Sequence, residues 1–457
     1  MAHKGKPGLV LTAVLLSSVM FPLTIAGASV ALTGIRADLG AELAATQWVV
    51  NGYNACFAAF LVFTGSLADV VGKRRIYACG LALFCLCGAV SAFAGDILLL
   101  DLVRALGGIG AAAAVTGGTS MLAATFDGPA RARVFGLFGT ALGIGLAFGP
   151  TIGGLLVDGL GWRAVFGVPA AFALVALLLV PALPVVPVEP GRRVDWAGAA
   201  LFTTSLLLLI FALVQGADLG FTSPVILGSF AAVLLLGFAF TRVERRKPDP
   251  LFDLGLLANR RFLALSAAAG AIVIVLVPLM VYLPSYLIEV VHLSAGQTGI
   301  WLLMLTGPSV VLPTLGGLLA TRVPPIALVV GSVAITGIGA LLLVTIGPDS
   351  TPLALLVPFL LTGAGLGLSI GLNDGLAIGS VPPEKSGTAS GMFNTARLAN
   401  ETVAIALVGA VLAGLSGGAL TGTGYTSALR TVCVGLGVFA LLATGAVAWL
   451  SRRDRAA

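Results

Sequence analysis

Gly65-Ser-Leu-Ala-Asp69-Val-Val-Gly72-Lys73-Arg74-Arg75 stands between two long apolar runs, 47–68 and 76–94. The stretch is too short to fold alone, and its glycines allow a tight turn and close helix approach. Each flanking run is about the 20 residues that an α-helix needs to cross a hydrocarbon core about 30 Å thick. Two helices therefore enter and leave a bilayer, joined by a short basic turn.

The same pattern repeats along the chain. Fourteen apolar runs lie at about 9–35, 47–68, 76–94, 97–123, 134–157, 164–184, 196–216, 224–241, 262–288, 298–320, 326–346, 353–375, 388–414 and 429–450. Composition agrees: 58% of the 457 residues are hydrophobic and 10% are charged, against about 25% charged in a soluble domain. A soluble fold, a disordered chain and a secreted disulfide scaffold are excluded. A membrane β-barrel needs strands of about ten residues with alternating polarity, whereas these runs are continuous. Met1-Ala-His-Lys-Gly-Lys-Pro and Ala26-Gly27-Ala28 resemble a signal peptide and its cleavage site. The apolar run continues to Ile35, so it reads as a retained first helix.

Lys and Arg mark the cytoplasmic side of membrane helices. With both termini cytoplasmic, 20 of the 25 basic residues fall in cytoplasmic segments, including Lys4, Lys6, Arg192, Arg193, Lys385 and Arg455. Only Arg36, Arg163 and Arg430 fall outside, and Arg104 and Arg397 lie within spans. The net charge of +6 is thus a topology signal and not a nucleic-acid footprint. Cys56, Cys79, Cys85, Cys87 and Cys433 all sit in apolar runs as small packing residues, and His3 and His292 are isolated. No metal site and no cofactor are expected.

Two echoes divide the chain. Gly65-Ser-Leu-Ala-Asp returns as Gly316-Gly-Leu-Leu-Ala, 251 residues on, and Gly136-Leu-Phe-Gly-Thr-Ala-Leu returns as Gly391-Met-Phe-Asn-Thr-Ala-Arg, 255 residues on. A parallel repeat of two six-helix halves explains both. The expected organisation is a first bundle at 1–190, two inserted helices with basic linkers at 191–250, and a second bundle at 251–457.

The fifth run carries Gly139, Gly143, Gly145, Gly149-Pro150, Gly153 and Gly154. Small residues at four-residue spacing let helices approach closely, and Pro150 bends the helix. A kinked, glycine-faced helix suits a sliding contact between the halves. Charges inside spans are functional candidates by default. Asp101 and Arg104 form one pair and Arg397 and Glu401 a second, each on one helix face, with Asn400 beside Glu401 and Asp374 near a helix end. Glu401 is the candidate to bind the proton. Asn51 and Asn54, with Tyr53, place polarity in the second span and are candidates to line a pathway.

These motifs resemble the major facilitator superfamily. Gly65, Leu67, Ala68, Asp69, Gly72, Lys73 and Arg74 match its G-x-L-a-D-x-x-G-[RK]-[RK] loop. Gly149, Pro150, Gly153 and Gly154, with Gly143 and Gly145 before them, match its antiporter motif. Arg104 to Gly110 is similar to the fourth-helix R-x-x-q-G-x-g motif, and Trp162-Arg163 with Phe166 is similar to the short W-R-x-x-F stretch. Fourteen spans point to the fourteen-helix drug:proton antiporter branch. That branch usually carries an acid in helix 1. Here Phe21-Pro22-Leu23-Thr24-Ile25 stands in its place, so the resemblance does not bring a cationic substrate with it.

The resemblance implies an all-α polytopic membrane protein with the major facilitator fold, two six-helix bundles plus two inserted helices. It further implies proton-coupled export of small lipophilic compounds by alternating access. Asp69 and its basic neighbours would gate the cycle, and Arg104 and Asp101 would assist proton coupling. Uptake of a metabolite by proton symport is the alternative, and a non-transporting sensor a third. No P-loop is present to use ATP, and no enzyme motif such as H-E-x-x-H occurs. The expected partners are a small-molecule substrate and the lipid bilayer, without nucleic acid, for a monomer in a bacterial cytoplasmic membrane. The excess of Arg over Lys, with abundant Ala and Gly, suggests GC-rich bacterial DNA.

Overall fold

The computed structural model describes residues 7–126, 128–185, 195–247, 254–320, 322–369, 372–381, 386–417 and 421–453. All regular structure among them is helical. Six helices come first: α1 (Pro7–Leu39), α2 (Leu43–Val71), α3 (Lys73–Ala92), α4 (Ile97–Thr125), α5 (Gly128–Leu160) and α6 (Ala164–Leu179). Two follow between the repeats, α7 (Trp196–Leu219) and α8 (Pro224–Glu244). The second repeat contains α9 (Arg260–Glu289), α10 (Ala295–Thr306), α11 (Pro308–Leu319), α12 (Pro325–Leu342), α13 (Pro352–Ser369), α14 (Leu372–Ile378), α15 (Ser386–Leu415) and α16 (Gly422–Arg453). Fourteen stretches among the described residues are long and apolar enough to cross a membrane. The basic residues Lys4, Lys6, Arg192, Arg193, Lys385 and Arg455 lie outside the described residues.

Helix ends follow from local chemistry. Asp96 caps α4 by accepting the Leu99 N–H at 2.8 Å, and Ser294 and Gln297 form a reciprocal capping box on α10. Gly72 divides α2 from α3 at φ 115°, a backbone region that favours glycine. One run read as a single helix from sequence is built as two. The tenth breaks into α10 and α11 at Gly307-Pro308, because proline has no N–H to continue the ladder. The twelfth run is described by α13 and α14, on either side of residues 370–371, within one candidate span at Pro352–Ala377.

The chain packs as two compact units, 1–210 with 229–240, and 211–228 with 241–457. Inside the first, α1 packs on α5 and α6, α3 on α4 and α6, and α2 on α4. Inside the second, α9 packs on α15 and α16, α12 on α13 and α16, and α10 and α11 on α13. Each helix of the second repeat thus meets the counterparts of the same neighbours, so the weak sequence echo is matched by a full repeat in three dimensions.

The repeat also explains two of the three basic residues expected on the outer side. Arg163 donates to Asp38 Oδ2 at 2.6 Å and to the Ala94 carbonyl at 3.1 Å, and Trp162 Nε1 donates to the same carboxylate oxygen at 3.1 Å. These bonds tie the end of α1 and the residues after α3 to the start of α6. In the second unit Arg430 Nε donates to the Ile346 carbonyl at 2.8 Å, joining α16 to the chain after α12. Both arginines act as braces on carbonyls that end the third helix of their repeat.

Glycine sets the helix spacing. A Cβ built on Gly80 of α3 would lie 2.7 Å from the Gly110 carbonyl, and one on Gly110 would lie 2.7 Å from the Phe84 nitrogen. On α5, Gly145, Gly149 and Gly153 form a stripe against α1: a Cβ on Gly149 would lie 2.6 Å from Ala26 Cβ, and one on Gly153 would lie 2.5 Å from Gly27 Cα. This stripe is occupied by α1 of its own bundle, which corrects the expectation that it slides against the other half. Gly139 and Gly143 face open space. Gly80→Ala or Gly149→Ala should therefore destabilise the protein by about 1–3 kcal/mol through overpacking. Gly139→Ala and Gly143→Ala should leave thermal unfolding in detergent unchanged or slightly raised.

Candidate functional site

Arg104 is 4% exposed in the interior of the first unit. Its Nε donates to the Val49 carbonyl of α2 at 3.0 Å. Its guanidinium lies 4.1 Å from the Tyr53 ring centre and 5.1 Å from that of Phe166. Gly108 makes room for this arrangement, because a Cβ there would strike the Tyr53 carbonyl and lie 3.0 Å from the Phe57 nitrogen. Two aromatic faces and one carbonyl thus stabilise a cation that hydrocarbon would otherwise penalise. The expected ion pair with Asp101 is not formed. Arg104 Nη2 and Asp101 Oδ1 are both buried without a hydrogen-bond partner, although they are one helical turn apart. The Tyr53 hydroxyl and both amide atoms of Asn51 are also buried without partners, and Asn54 is buried beside them on α2. Polar groups in this state are where a proton, water or ligand is bound with most gain.

The loop motif begins on α2 and ends on α3. Gly65 packs on Thr116 of α4, and Asp69 is half-buried near the end of α2. Lys73 opens α3. Arg74 reaches across to the end of α6, where Nη1 donates to the Leu183 carbonyl at 2.9 Å and Nη2 to the Pro181 carbonyl at 3.0 Å. A cation on the last carbonyls of a helix matches both their unpaired acceptors and the negative end of the helix dipole. Pro150 and Gly154 are buried within α5.

In the second unit, α15 carries Arg397, Asn400 and Glu401. Arg397 makes its ion pair and its side-chain hydrogen bond with groups other than Glu401. Its Nη1 lies 3.6 Å from Asp374 Oδ1 on α14, and its Nη2 donates to Asn394 Oδ1 at 3.0 Å. The sequence-derived pairing of Arg397 with Glu401 is therefore corrected to a pairing between helices. Among the described residues no ion pair reaches Glu401. Asn400 packs on the backbone of α9, where a Cβ on Gly270 would lie 2.6 Å from its Nδ2. Asn394 and the acceptor role of Val49 were not visible in the sequence, because neither has a distinctive spacing. Phe166 was visible as part of W-R-x-x-F, and the structure supplies its reason: its ring packs on Arg104.

Among the described residues, fourteen candidate membrane helices, a repeated six-helix packing and buried polar clusters within each repeat have the form of a membrane transporter. The Major Facilitator Superfamily family model matches residues 14–399, and the chain belongs to that family. It is 31% identical to the puromycin resistance protein pur8 of Streptomyces alboniger over 92% of this chain and 86% of that one. It is 32% identical to the methylenomycin A resistance protein of Bacillus subtilis, over 88% and 87%. It is 29% identical to the multidrug resistance protein Stp of Mycobacterium tuberculosis, over 84% and 72%. Among solved structures, the POT family transporter PepTSo superimposes with a TM-score of 0.70 at 16% identity, covering 98% of this chain and 99% of that one. A bacterial homologue of the lysosomal transporter Spinster, in an inward-facing and unoccupied conformation, gives 0.68 at 18% identity, covering 98% of each. These two likenesses concern the fold.

The Arg104 cradle makes a specific demand on side-chain shape. Lysine keeps the charge but has no Nε–H to offer Val49 and no planar group to lie against Tyr53 and Phe166. Arg104→Lys should lower transport at least tenfold while the protein still inserts and purifies as wild type, as checked by uptake into inverted vesicles alongside size-exclusion chromatography.

Proposed function

We propose that this transporter is a proton-coupled antiporter that exports small lipophilic compounds from the bacterial cytoplasm by alternating access. The observation that carries the reading is the state of Glu401. It lies in a membrane helix, and the neighbouring cation, Arg397, is engaged by Asp374 and Asn394. A carboxylate there without an ion-pair partner is costly in a low-dielectric span. Binding a proton removes that cost, and releasing it restores the charge, so the group suits a cycle in which proton and substrate alternate. The names of the relatives support export: resistance to puromycin and methylenomycin A, and the tetracenomycin C resistance and export protein of Streptomyces glaucescens at 28% identity.

Each proton crossing a membrane potential of 100 mV supplies about 2.3 kcal/mol, before any pH difference. The loop at Gly65–Arg75 would hold one conformation and release it in the other. The basic segments favour cytoplasmic termini in a bacterial inner membrane, and the protein would act as a monomer with no cofactor beyond the coupling ion.

In inverted vesicles with an acid interior, adding a transported compound should release protons and partly collapse the gradient. Glu401→Gln should abolish that release and slow energised uptake at least tenfold, while leaving binding of the compound within about threefold of wild type. Fully coupled transport by Glu401→Gln would overturn Glu401 as the proton carrier. Substrate movement in the same direction as the proton would overturn antiport in favour of symport.

A further inference from the structure

α8 is the least buried of the fourteen spans. One side of it faces the protein. Ile226, Ser229 and Glu244 are buried there, the Val233 carbonyl accepts the Ser205 hydroxyl of α7 at 3.4 Å, and the Phe240 ring lies 5.9 Å from that of Phe202 on α7. The opposite side is open. Leu234, Leu235 and Phe238 are 75%, 69% and 64% exposed, and Arg242, Arg245 and Arg246 are exposed beyond them. Leu235, Phe238, Arg242 and Arg245 follow one another at spacings of three and four, which keeps them on one face of a helix. The acid among these arginines, Glu244, is buried on the protein side. Among the described residues no ion pair engages Arg245 or Arg246.

Distances along the helix axis match one lipid. A hydrocarbon core about 30 Å thick leaves about 15 Å to each leaflet, or about ten residues at 1.5 Å each. Counted inward from Arg242, that depth ends near Ala232, so Leu234, Leu235 and Phe238 all lie within the leaflet whose headgroups are level with the arginines. An acyl chain can follow the leucines and the phenylalanine while its headgroup stays among the guanidinium groups. Each Lys or Arg beside an anionic lipid surface contributes about a fivefold preference for it, and a guanidinium can hold a phosphate through two N–H groups at once. The start of α9 offers a contrast. Arg260 and Arg261 are exposed there too, but α9 is the most buried of the spans. Behind these two arginines Phe262, Ala264, Leu265 and Ala268 are buried, so no comparable apolar face leads away from them.

We infer that the exposed side of α8 is a binding site for an anionic glycerophospholipid. Arg242, Arg245 and Arg246 hold the phosphate, and an acyl chain lies along Leu234, Leu235 and Phe238. A zwitterionic lipid with the same chains fits the apolar part equally well, but it brings its own cation to the arginines. The inference gives the inserted helix α8 a task that needs neither substrate nor proton gradient, so it stands apart from the antiport reading.

The test uses the purified full-length protein in detergent with equimolar phosphatidylglycerol and phosphatidylcholine of identical acyl chains. Native mass spectrometry reads which lipid is retained first. The wild type should favour phosphatidylglycerol about tenfold or more. Arg245→Gln combined with Arg246→Gln should bring the two lipids to within about twofold of each other. Arg260→Gln combined with Arg261→Gln removes the same charge from the start of α9 and should leave the wild-type preference within about twofold. Arg245→Lys combined with Arg246→Lys keeps the charge and should keep most of the preference. Leu235→Ala combined with Phe238→Ala should weaken retention of both lipids. Should the double glutamine variant of α8 melt below the wild type, Arg245→Gln alone decides, with an expected loss of about threefold. A wild type that retains both lipids equally overturns the site, as does a preference that survives the glutamine changes in α8. Equal losses from the α8 and α9 pairs also overturn it, because a diffuse basic surface would then be the cause.

Discussion

Hydrocarbon offers no hydrogen bonds, and that constraint governs the whole molecule. A polar group inside a span is matched within its own bundle or remains a liability. Matching requires helices close enough for side chains of one to reach carbonyls of the next. Glycine supplies that closeness, at Gly80 and Gly110 between α3 and α4, at Gly108 beneath Tyr53, and along Gly145, Gly149 and Gly153 against α1. Within this tight frame most buried hydroxyls bond to a carbonyl of their own helix, as Ser18, Thr306 and Thr336 do. The exceptions include a group on α2 and α4 around Asn51, Tyr53, Asp101 and Arg104, Ser266 and Asn373 on α9 and α14, and the single hydroxyls of Thr24 on α1 and Thr298 on α10. Function is read most directly from these failures of matching.

The motif W-R-x-x-F shows how one short segment serves two tasks. Trp162 and Arg163 fasten the start of α6 to Asp38. One turn further along α6, Phe166 forms one wall of the Arg104 cradle. The position of a buried cation therefore depends on a polar clamp at the end of the helix. Arg74 does the corresponding work at the other end of α6, on the carbonyls of Pro181 and Leu183.

Much of the fold was legible because membrane crossing is a local property. Run length and charge depletion gave the fourteen spans, and the echo at Gly65 and Gly316 gave the repeat. Partners between helices were not legible in the same way. Helical spacing relates Arg397 to Glu401, four residues away, but carries no information on Asp374, which lies on another helix. It marks Gly145, Gly149 and Gly153 as one face without saying that α1 fills it. The break in the tenth run is legible, because Gly307-Pro308 announces it. The orphaned state of Asn373 depends on neighbours that only the folded chain supplies.

The two copies of the second helix differ in continuity. α2 is continuous for 29 residues, while its counterpart is jointed at Pro308. An offset of 251 places Pro308 at the position of Phe57 in the first copy. The Phe57 ring stacks on Tyr53 at 6.2 Å, and Tyr53 supports Arg104. A proline at 57 would delete the N–H that closes the turn from Tyr53 and loosen the floor of the arginine cradle. α13, the counterpart of α4, carries no arginine. The copy beside the buried cation is continuous, and the copy that contains Pro308 has no arginine on its neighbouring helix to support.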